Sequence, residues 1–214
     1  MKKILCFLTF AGDNLHQLYM IRIAIFASGS GTSAQRITEY FRERSAPIVV
    51  DLILSNKPDA FVLKRARSLG ISSVTFSRQE FYESSRIPDL LKEHAIEYVI
   101  LAGFLWLVPE SILKAYPGRI LNIHPALLPG YGGKGMYGIK VHEAVISHHD
   151  KESGITIHLV NERFDEGQIL FQEKCSVEAT DTPVSLAEKI HALEYRYFPQ
   201  VIENYILKGT QKQV

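Results

Sequence analysis

The sequence predicts an α/β protein with a single doubly wound, mainly parallel sheet and helices on both faces. Short apolar runs alternate with amphipathic stretches from Met20 onward, which is the pattern of β-α-β units joined by right-handed crossovers. Residues 98–102 form an apolar run of the kind that is buried on both faces of a parallel sheet. Gly70 ends one amphipathic stretch and Pro109 opens another, where its missing N–H costs nothing.

Each element has its own signature in the sequence. β-branched residues favour a strand at 48–55, and Ile37 and Phe41 share one face of the first helix. The predicted strands are 21–27, 48–55, 73–76, 98–102, 119–124, 154–160 and 169–175. The predicted helices are 33–44, 60–69, 86–94, one that begins at Pro109, 139–148 and 183–207. No internal repeat or linker interrupts this series, so we predict one domain over residues 20–214.

The composition limits the classes of function. The chain has 214 residues, 46% of them hydrophobic and 22% charged, which is ample for a core. A net charge of +1 argues against a nucleic-acid-binding surface. Cys6 and Cys175 are too few and too far apart for a disulfide framework or a zinc site, which favours a cytoplasmic protein.

The first 19 residues precede the regular pattern. An apolar run after Lys2 and Lys3 faintly resembles a signal peptide, but it is too short to span a membrane. Met20 stands directly before the first predicted strand. We interpret residues 1–19 as a non-essential extension, with secretion as the alternative.

A glycine-rich loop, residues 28–33 (SGSGTS), lies between the first strand and the first helix. Glycine lets a backbone approach a ligand closely, and a helix N-terminus attracts anions. The loop has neither the third glycine of a dinucleotide-binding motif nor the lysine of a P-loop. Two interpretations stay open on these residues alone: a site for one phosphate monoester, or a tight turn that needs glycine.

Asn122 and His124 stand two residues apart at the end of the fifth predicted strand. Alternation along a strand places both on one face, and open α/β sheets bind ligands at this edge. An amide and an imidazole can together stabilise a developing oxyanion. A hydrogen-bonded structural histidine is the alternative. Asp165, in an acidic turn before the last strand, is an ordinary solvated residue unless the fold brings it close to this pair.

Four segments together carry a resemblance to a known family. They are residues 28–33, 102–105 (AGFL), 122–129 (NIHPALLP) and 164–167 (FDEG). Their order and spacing resemble those of the phosphoribosylglycinamide formyltransferases, a folate-dependent family of purine synthesis, from Met20 to the last helix. This resemblance implies the formyltransferase fold, with a Rossmann-like N-terminal half.

The resemblance also implies an activity and its ligands. The formyl group of 10-formyltetrahydrofolate, the co-substrate, would pass to the amine of glycinamide ribonucleotide. No metal is needed, because an amide and a charged imidazole replace a Lewis acid. The partners would be small molecules alone, with no nucleic acid and no membrane, and the chain would act as a monomer or homodimer.

Roles are implied residue by residue. The catalytic residues would be Asn122, His124 and Asp165, and Glu194 would contact the glycinamide substrate. The substrate phosphate would bind at Gly31, Thr32 and Ser33. The folate would be bordered by Leu105, Trp106, Leu107, Val108 and Asn122, with Arg86 as the candidate for its arginine. We further expect Asp165 to raise the pKa of His124 by favouring the charged imidazole.

The chain departs from the family pattern in three places, one of which is the stretch of uneven length that contains Arg86, the candidate for the folate-contacting arginine. Ser33 stands where the family carries asparagine, which puts the contribution of that side chain in doubt. The loop at 130–138 is longer and richer in glycine than usual, so it is either a mobile cover or a surface loop particular to this lineage.

Four rival functions remain to be compared. A methionyl-tRNA formyltransferase would carry a further C-terminal domain for tRNA, and a formyltetrahydrofolate hydrolase would carry an N-terminal regulatory domain; we expect neither in a chain of 214 residues. A non-catalytic module that binds a phosphorylated ligand leaves the Asn122, His124 and Asp165 combination unexplained. A dinucleotide-dependent dehydrogenase needs a glycine motif that the loop lacks.

Overall fold

A seven-stranded sheet organises the part of the chain that the computed structural model describes, residues 19–211. In chain order its elements are β1 Ile21–Phe26, α1 Thr32–Glu43, β2 Ile48–Ser55, α2 Phe61–Ser68, β3 Ser72–Thr75, α3 Arg78–Tyr82, α4 Arg86–Glu93, β4 Tyr98–Leu101, α5 Glu110–Ala115, β5 Ile120–His124, α6 Ile139–Ser147, β6 Glu152–Leu159, β7 Ile169–Ser176 and α7 Pro183–Gln211.

The strands lie in the order β3-β2-β1-β4-β5-β6-β7. The first five are parallel, and β6 and β7 add to the edge as antiparallel strands. The chain winds outward from β1 to β3 and then crosses back to place β4 on the other side of β1. The loops after β1 and β4 therefore diverge, and this switch point opens a crevice at the carboxyl ends of the strands.

Two hydrophobic clusters sandwich the sheet, one on each face. Alternate residues of β1 divide between them: Ile23 and Ile25 pack in the cluster that includes α1, α2, α6 and α7, whereas Ala24 and Phe26 face α3, α4 and α5. This division follows from the two-residue period of a strand buried on both faces. The predicted doubly wound fold, with helices on both faces, is confirmed.

The predicted element boundaries agree with the structure to within two residues, with two exceptions. The last helix continues four residues beyond the predicted end at Leu207. The short helix α3 was not predicted, because five residues are too few to show helical periodicity. Its signal was a capping box, in which the Ser77 hydroxyl accepts the Glu80 N–H and the Glu80 carboxylate accepts the Ser77 N–H.

The interpretation of residues 1–19 stays a prediction, since all but Tyr19 lie outside the described part of the chain. None of the helices between residues 19 and 211 has both the length and the apolar character needed to cross a bilayer.

Candidate active site

A cavity of about 890 Å³ occupies the crevice at the switch point. It is bounded by the loops that follow β1 and β4, by the loop that follows β5 and includes residues 133–138, and by the acidic turn at 164–165. The predicted site residues that line it are Gly31, Thr32, Ser33, Leu105, Trp106, Leu107, Asn122, His124, Asp165 and Glu194. Segments far apart in the sequence therefore converge on one volume.

The loop after β1 has a geometry that requires glycine. Gly31 has a φ of +74°, and a Cβ built on it would come within 2.3 Å of the Val62 side chain. The helix α1 begins at the next residue, Thr32, so N–H groups without intrahelical partners lie at the cavity wall. The Arg65 guanidinium donates to the Ser30 carbonyl oxygen at 2.9 Å and braces the loop. A tight turn and an anion site are thus compatible uses of the same glycine.

Ser33 and Glu194 form a polar pair in the cavity. The Ser33 hydroxyl donates to a carboxylate oxygen of Glu194 at 3.2 Å. Burial raises the pKa of Glu194 to about 7, and the Ser33 hydrogen bond only partly opposes this rise. The serine side chain is therefore engaged by Glu194, whereas the backbone N–H of Ser33 lies in the first turn of α1 and has no intrahelical partner.

The raised pKa of Glu194 predicts a stability change in the Glu194→Gln variant. The folded state holds the proton up to about pH 7, whereas an ordinary glutamate loses it near 4.5. Between these values the unfolded chain releases the proton first, so the native state loses stability as the pH rises. Glutamine removes this penalty, and because Glu194 is partly exposed to the cavity the gain is at most about 3 kcal/mol. Thermal melts should show stabilisation at pH 8 and almost none at pH 4.5; equal shifts at both would contradict the assignment.

Asn122 and His124 lie on the same face of β5, as predicted, and both line the cavity. Across the antiparallel pair, Asn122 lies opposite His158 of β6. The Asn122 Nδ2 is 3.0 Å from His158 Nε2, and His158 Nδ1 is 2.8 Å from the Leu159 carbonyl oxygen. Since a carbonyl only accepts, Nδ1 carries the imidazole proton and Nε2 accepts from the amide. His158 thereby orients Asn122, whose second N–H is not used in this contact.

The sequence reasoning missed His158. A signal was present, because the polar residues Thr156 and His158 alternate with Ile155 and Ile157 along β6. The Thr156 hydroxyl donates to the Ala126 carbonyl oxygen at 2.7 Å and accepts the Leu128 N–H at 3.0 Å. The polar face of β6 therefore supports both Asn122 and the loop that follows His124.

His124 is 3% exposed and is held by two groups. Its Nε2 donates to the Tyr131 carbonyl oxygen at 2.8 Å, and its Nδ1 lies 3.5 Å from the Asp165 Oδ2. The carbonyl partner places the proton of the neutral ring on Nε2. Nδ1 then presents a lone pair on the side that faces the carboxylate.

The expected net rise in the pKa of His124 is wrong, although Asp165 acts in the expected direction. Burial lowers the pKa of His124 below its ordinary 6.5, and the nearby Asp165 carboxylate and the Tyr131 carbonyl only partly reverse this effect. A buried imidazolium loses its hydration, and a carboxylate at 3.5 Å without direct hydrogen-bond contact does not replace it fully. His124 is therefore predominantly neutral at neutral pH.

Asp165 lies in a left-handed backbone conformation, with a φ of 58°. Its Oδ2 accepts the Gly133 N–H at 2.9 Å, and its Oδ1 is 3.6 Å from His158 Nε2. Burial acts to raise the pKa of Asp165, but the positive charge that the adjacent His158 and His124 rings carry when protonated, together with the Gly133 N–H, outweighs it, so the pKa is lowered. A carboxylate thus lies between two imidazoles, and the acidic turn is more than a solvated surface.

Two residues predicted for the folate do not reach the cavity. The Val108 side chain is buried in the core on the α3–α5 face, and Arg86 forms an ion pair with Glu80. Arg78 lines the cavity instead, and its guanidinium lies over the rings of Tyr82 (4.9 Å) and Trp106 (5.7 Å). The capping box at Ser77 could have identified Arg78, since it places this residue just beyond the carboxyl end of β3.

The cavity has three regions that differ in the chemical group they can bind or act on. The loop at 28–33 can receive an anion, the surface around Trp106 can receive a flat apolar group, and the Asn122 and His124 pair between them can act on a carbonyl. Within residues 19–211, no group of three or more His, Cys, Asp or Glu side chains has an arrangement suited to a metal ion.

Comparisons with known proteins agree with this chemistry. Residues 21–202 match the model of the family described as formyl transferase. The chain is 41% identical over 192 residues to the chloroplastic phosphoribosylglycinamide formyltransferase of Arabidopsis thaliana, with 87% of this chain matched and only 66% of that longer protein. It is 32% identical to the phosphoribosylglycinamide formyltransferase of Bacillus subtilis, covering 87% of this chain and 95% of that protein.

A solved structure extends the likeness to three dimensions. It is the crystal structure of glycinamide ribonucleotide transformylase 1 from Symbiobacterium toebii, which is similar with a TM-score of 0.80 and 36% sequence identity. The likeness covers 91% of this chain and 92% of that one.

Proposed function

This chain belongs to the phosphoribosylglycinamide formyltransferase family, and from that premise we propose that it transfers the formyl group of 10-formyltetrahydrofolate to the amine of glycinamide ribonucleotide. The products are formylglycinamide ribonucleotide and tetrahydrofolate, in purine biosynthesis. One observation carries the proposal: the His124 and Asp165 pair, 3.5 Å apart, shares a single cavity with the loop at 28–33, which leads into the N-terminus of α1.

The sugar phosphate occupies the end of the cavity beside α1. The backbone N–H groups of Gly31, Thr32 and Ser33 bind the phosphate, favoured by the positive end of the helix dipole. Glu194 lies next to this loop and accepts hydrogen bonds from the sugar and glycinamide portion. The phosphate thus fixes one end of the substrate, and its amine extends toward β5.

The folate occupies the end of the cavity near α3. Leu105, Trp106 and Leu107 border the pterin, which needs a flat and largely apolar surface. A folate ends in glutamate carboxylates, and Arg78 is the cation on this side of the cavity that can pair with them.

Arg78→Ala should raise the KM for 10-formyltetrahydrofolate roughly tenfold, because a charged hydrogen bond contributes about 1.5–3 kcal/mol. The kcat and the KM for glycinamide ribonucleotide should change little, since the guanidinium lies over the Tyr82 and Trp106 rings and is assigned to neither the formyl transfer nor the phosphate. Arg86→Ala is the matched control: it removes the guanidinium paired with Glu80 and should leave both KM values unchanged. Steady-state kinetics with each substrate varied would refute the assignment if the two variants behaved alike.

In the transfer step the neutral amine attacks the formyl carbon, and negative charge develops on the formyl oxygen. Asn122 donates an N–H to that oxygen, and His158 holds the amide in position. A donor held in place before the reaction stabilises the transition state without the cost of reorienting water.

His124 begins the step neutral, with a lone pair on Nδ1. It takes the proton that the amine nitrogen loses as the new C–N bond forms. The resulting imidazolium is stabilised by the Asp165 carboxylate and by the Tyr131 carbonyl, and it also stabilises the oxyanion. When the oxyanion collapses, the bond to folate N10 breaks and N10 receives the proton. The positive charge on His124 therefore appears only as negative charge develops on the formyl oxygen, close to that oxygen.

We also propose that the chain acts in the cytoplasm on these small molecules alone, as a monomer or homodimer and without nucleic acid, membrane or metal. The near-neutral net charge of +1 supports the absence of a nucleic-acid partner.

The purified full chain, mixed with 10-formyltetrahydrofolate and glycinamide ribonucleotide, tests the function. We expect tetrahydrofolate release that depends on both ligands, with formylglycinamide ribonucleotide formed in equal amount. Release of tetrahydrofolate without an amine acceptor would instead indicate a hydrolase. Binding of the sugar phosphate with no turnover would indicate a non-catalytic module.

A further inference from the structure

Tyr131 connects His124 to the segment that follows α6 through two different groups. Its backbone carbonyl accepts the His124 Nε2 proton at 2.8 Å. Its phenolic O–H donates to the Asp150 Oδ2 at 2.5 Å, and the phenolic oxygen lies 2.9 Å from His148 Nδ1. One residue therefore spans from the reacting imidazole to a polar anchor outside the cavity.

The backbone of Tyr131 explains why an anchor is needed. Tyr131 has a φ of 56°, a left-handed conformation that residues other than glycine seldom adopt. It lies within the glycine-rich segment 130–133, whose chain has many other conformations available to it. In the observed conformation its carbonyl contacts His124 and its phenol contacts Asp150. A strained residue at a reacting group persists when the surroundings hold it from several sides.

The same loop also holds the second member of the pair. The Gly133 N–H donates to the Asp165 Oδ2 at 2.9 Å. A Cβ on Gly132 would lie 3.3 Å from the Cβ of Asp165 and 2.7 Å from the Leu128 side chain, so the loop lies directly against the acidic turn. The segment 131–133 thus contacts His124 from one side and Asp165 from the other.

We propose that Tyr131 is a positioning residue for formyl transfer, whose phenol, anchored by Asp150 and His148, fixes the carbonyl that sets the tautomer and orientation of His124. This inference rests on the proposed function. With the carbonyl in place the ring proton stays on Nε2, and Nδ1 is free of a proton and can receive one from the amine. Without the anchor the loop samples other conformations, and the imidazole can adopt the opposite tautomer or turn away from Asp165.

Removing the phenolic oxygen tests the proposal with little change in shape. Tyr131→Phe should lower kcat about tenfold while both KM values stay within about twofold, because binding groups are untouched. Asp150→Ala should have the same effect, and Asp150→Asn should restore most of the rate, since its amide oxygen still accepts the O–H. Combining Tyr131→Phe with Asp150→Ala should cost no more than either change alone, because both remove one interaction.

Tyr40→Phe is the matched control. The Tyr40 hydroxyl also donates to a carboxylate, that of Glu203 at 2.7 Å, and burial together with its carboxylate raises the pKa of each phenol to about 12. This pair joins α1 to α7 and makes no contact with His124. Its loss should lower the melting temperature by a similar amount and leave kcat unchanged.

The tautomer of His124 gives a readout that a purely structural role would not alter. Imidazole ¹⁵N chemical shifts should show the Nε2-protonated ring in the wild type and a mixture in Tyr131→Phe. Wild-type kcat in Tyr131→Phe, or a drop in kcat in Tyr40→Phe of the same size, would overturn the proposal. An inactive wild type would instead refute the proposed function. If Tyr131→Phe fails to fold, the comparison of Asp150→Asn with Asp150→Ala decides the question.

Discussion

The His124→Ala variant is expected to fold and to bind both substrates, but to transfer the formyl group about a hundred to a thousand times more slowly than the wild type. This loss is typical when one oxyanion-stabilising group is removed, and His124 also takes the proton from the amine. The ring is held by Tyr131 and Asp165 rather than by the groups that we assign to the phosphate and the pterin, so KM should change little. Single-turnover kinetics would measure the transfer step directly.

Two further measurements separate chemistry from folding in this variant. The imidazole is buried in the wild type, so its removal leaves a space lined by Tyr131 and Asp165. Added imidazole should enter this space and restore part of the rate, whereas circular dichroism should show an unchanged fold. Near-wild-type turnover in His124→Ala would remove this residue from the mechanism.

The Asp165→Asn variant is expected to lose about a hundredfold in kcat. A carboxylate about 4 Å from a cation contributes about 4 kcal/mol at an effective dielectric constant of 20, and a hundredfold loss corresponds to about 2.7 kcal/mol. The loss falls on the transition state, because His124 is neutral before the reaction and charged during it. The lowered pKa of Asp165 keeps this carboxylate ionised throughout the neutral range.

Asparagine is the informative replacement at Asp165 because it preserves the backbone and one contact. It tolerates the left-handed φ of 58°, and its amide oxygen can still accept the Gly133 N–H. The neighbouring Glu166 provides the control, since it pairs with Arg163 at 3.2 Å on the exposed side of the same turn. Glu166→Gln should keep the wild-type rate. Equal losses in the two variants would mean that the turn needs acidic charge in general rather than a carboxylate beside His124.

Local patterns were enough to predict the sheet and much of the site. The two-residue period of a strand placed Asn122 and His124 on one face, and the chain order of strands and helices placed their strand end at the ligand-binding edge. These features depend on residues that are close together in the chain, so they can be read from the sequence without the fold. The glycine loop at 28–33 was found in the same way.

Other features depend on groups that meet only after folding. Arg78 was missed and Arg86 chosen because a side chain's reach into a cavity depends on the direction of a short helix. His158 was missed because strand register decides that it lies opposite Asn122. The sequence indicated Asp165 as a partner, but not the Tyr131 carbonyl that holds the other ring nitrogen.

Chain order and periodicity therefore predicted the fold and placed Asn122 and His124 together at the carboxyl edge of the sheet, whereas Asp165 was assigned to them only through the resemblance to a known family. The tertiary structure alone decided the charge state of His124, and it reversed the expected direction of the pKa shift. The physical reason is that an attractive partner can be inferred from one residue type, whereas the loss of hydration depends on every atom packed around the ring.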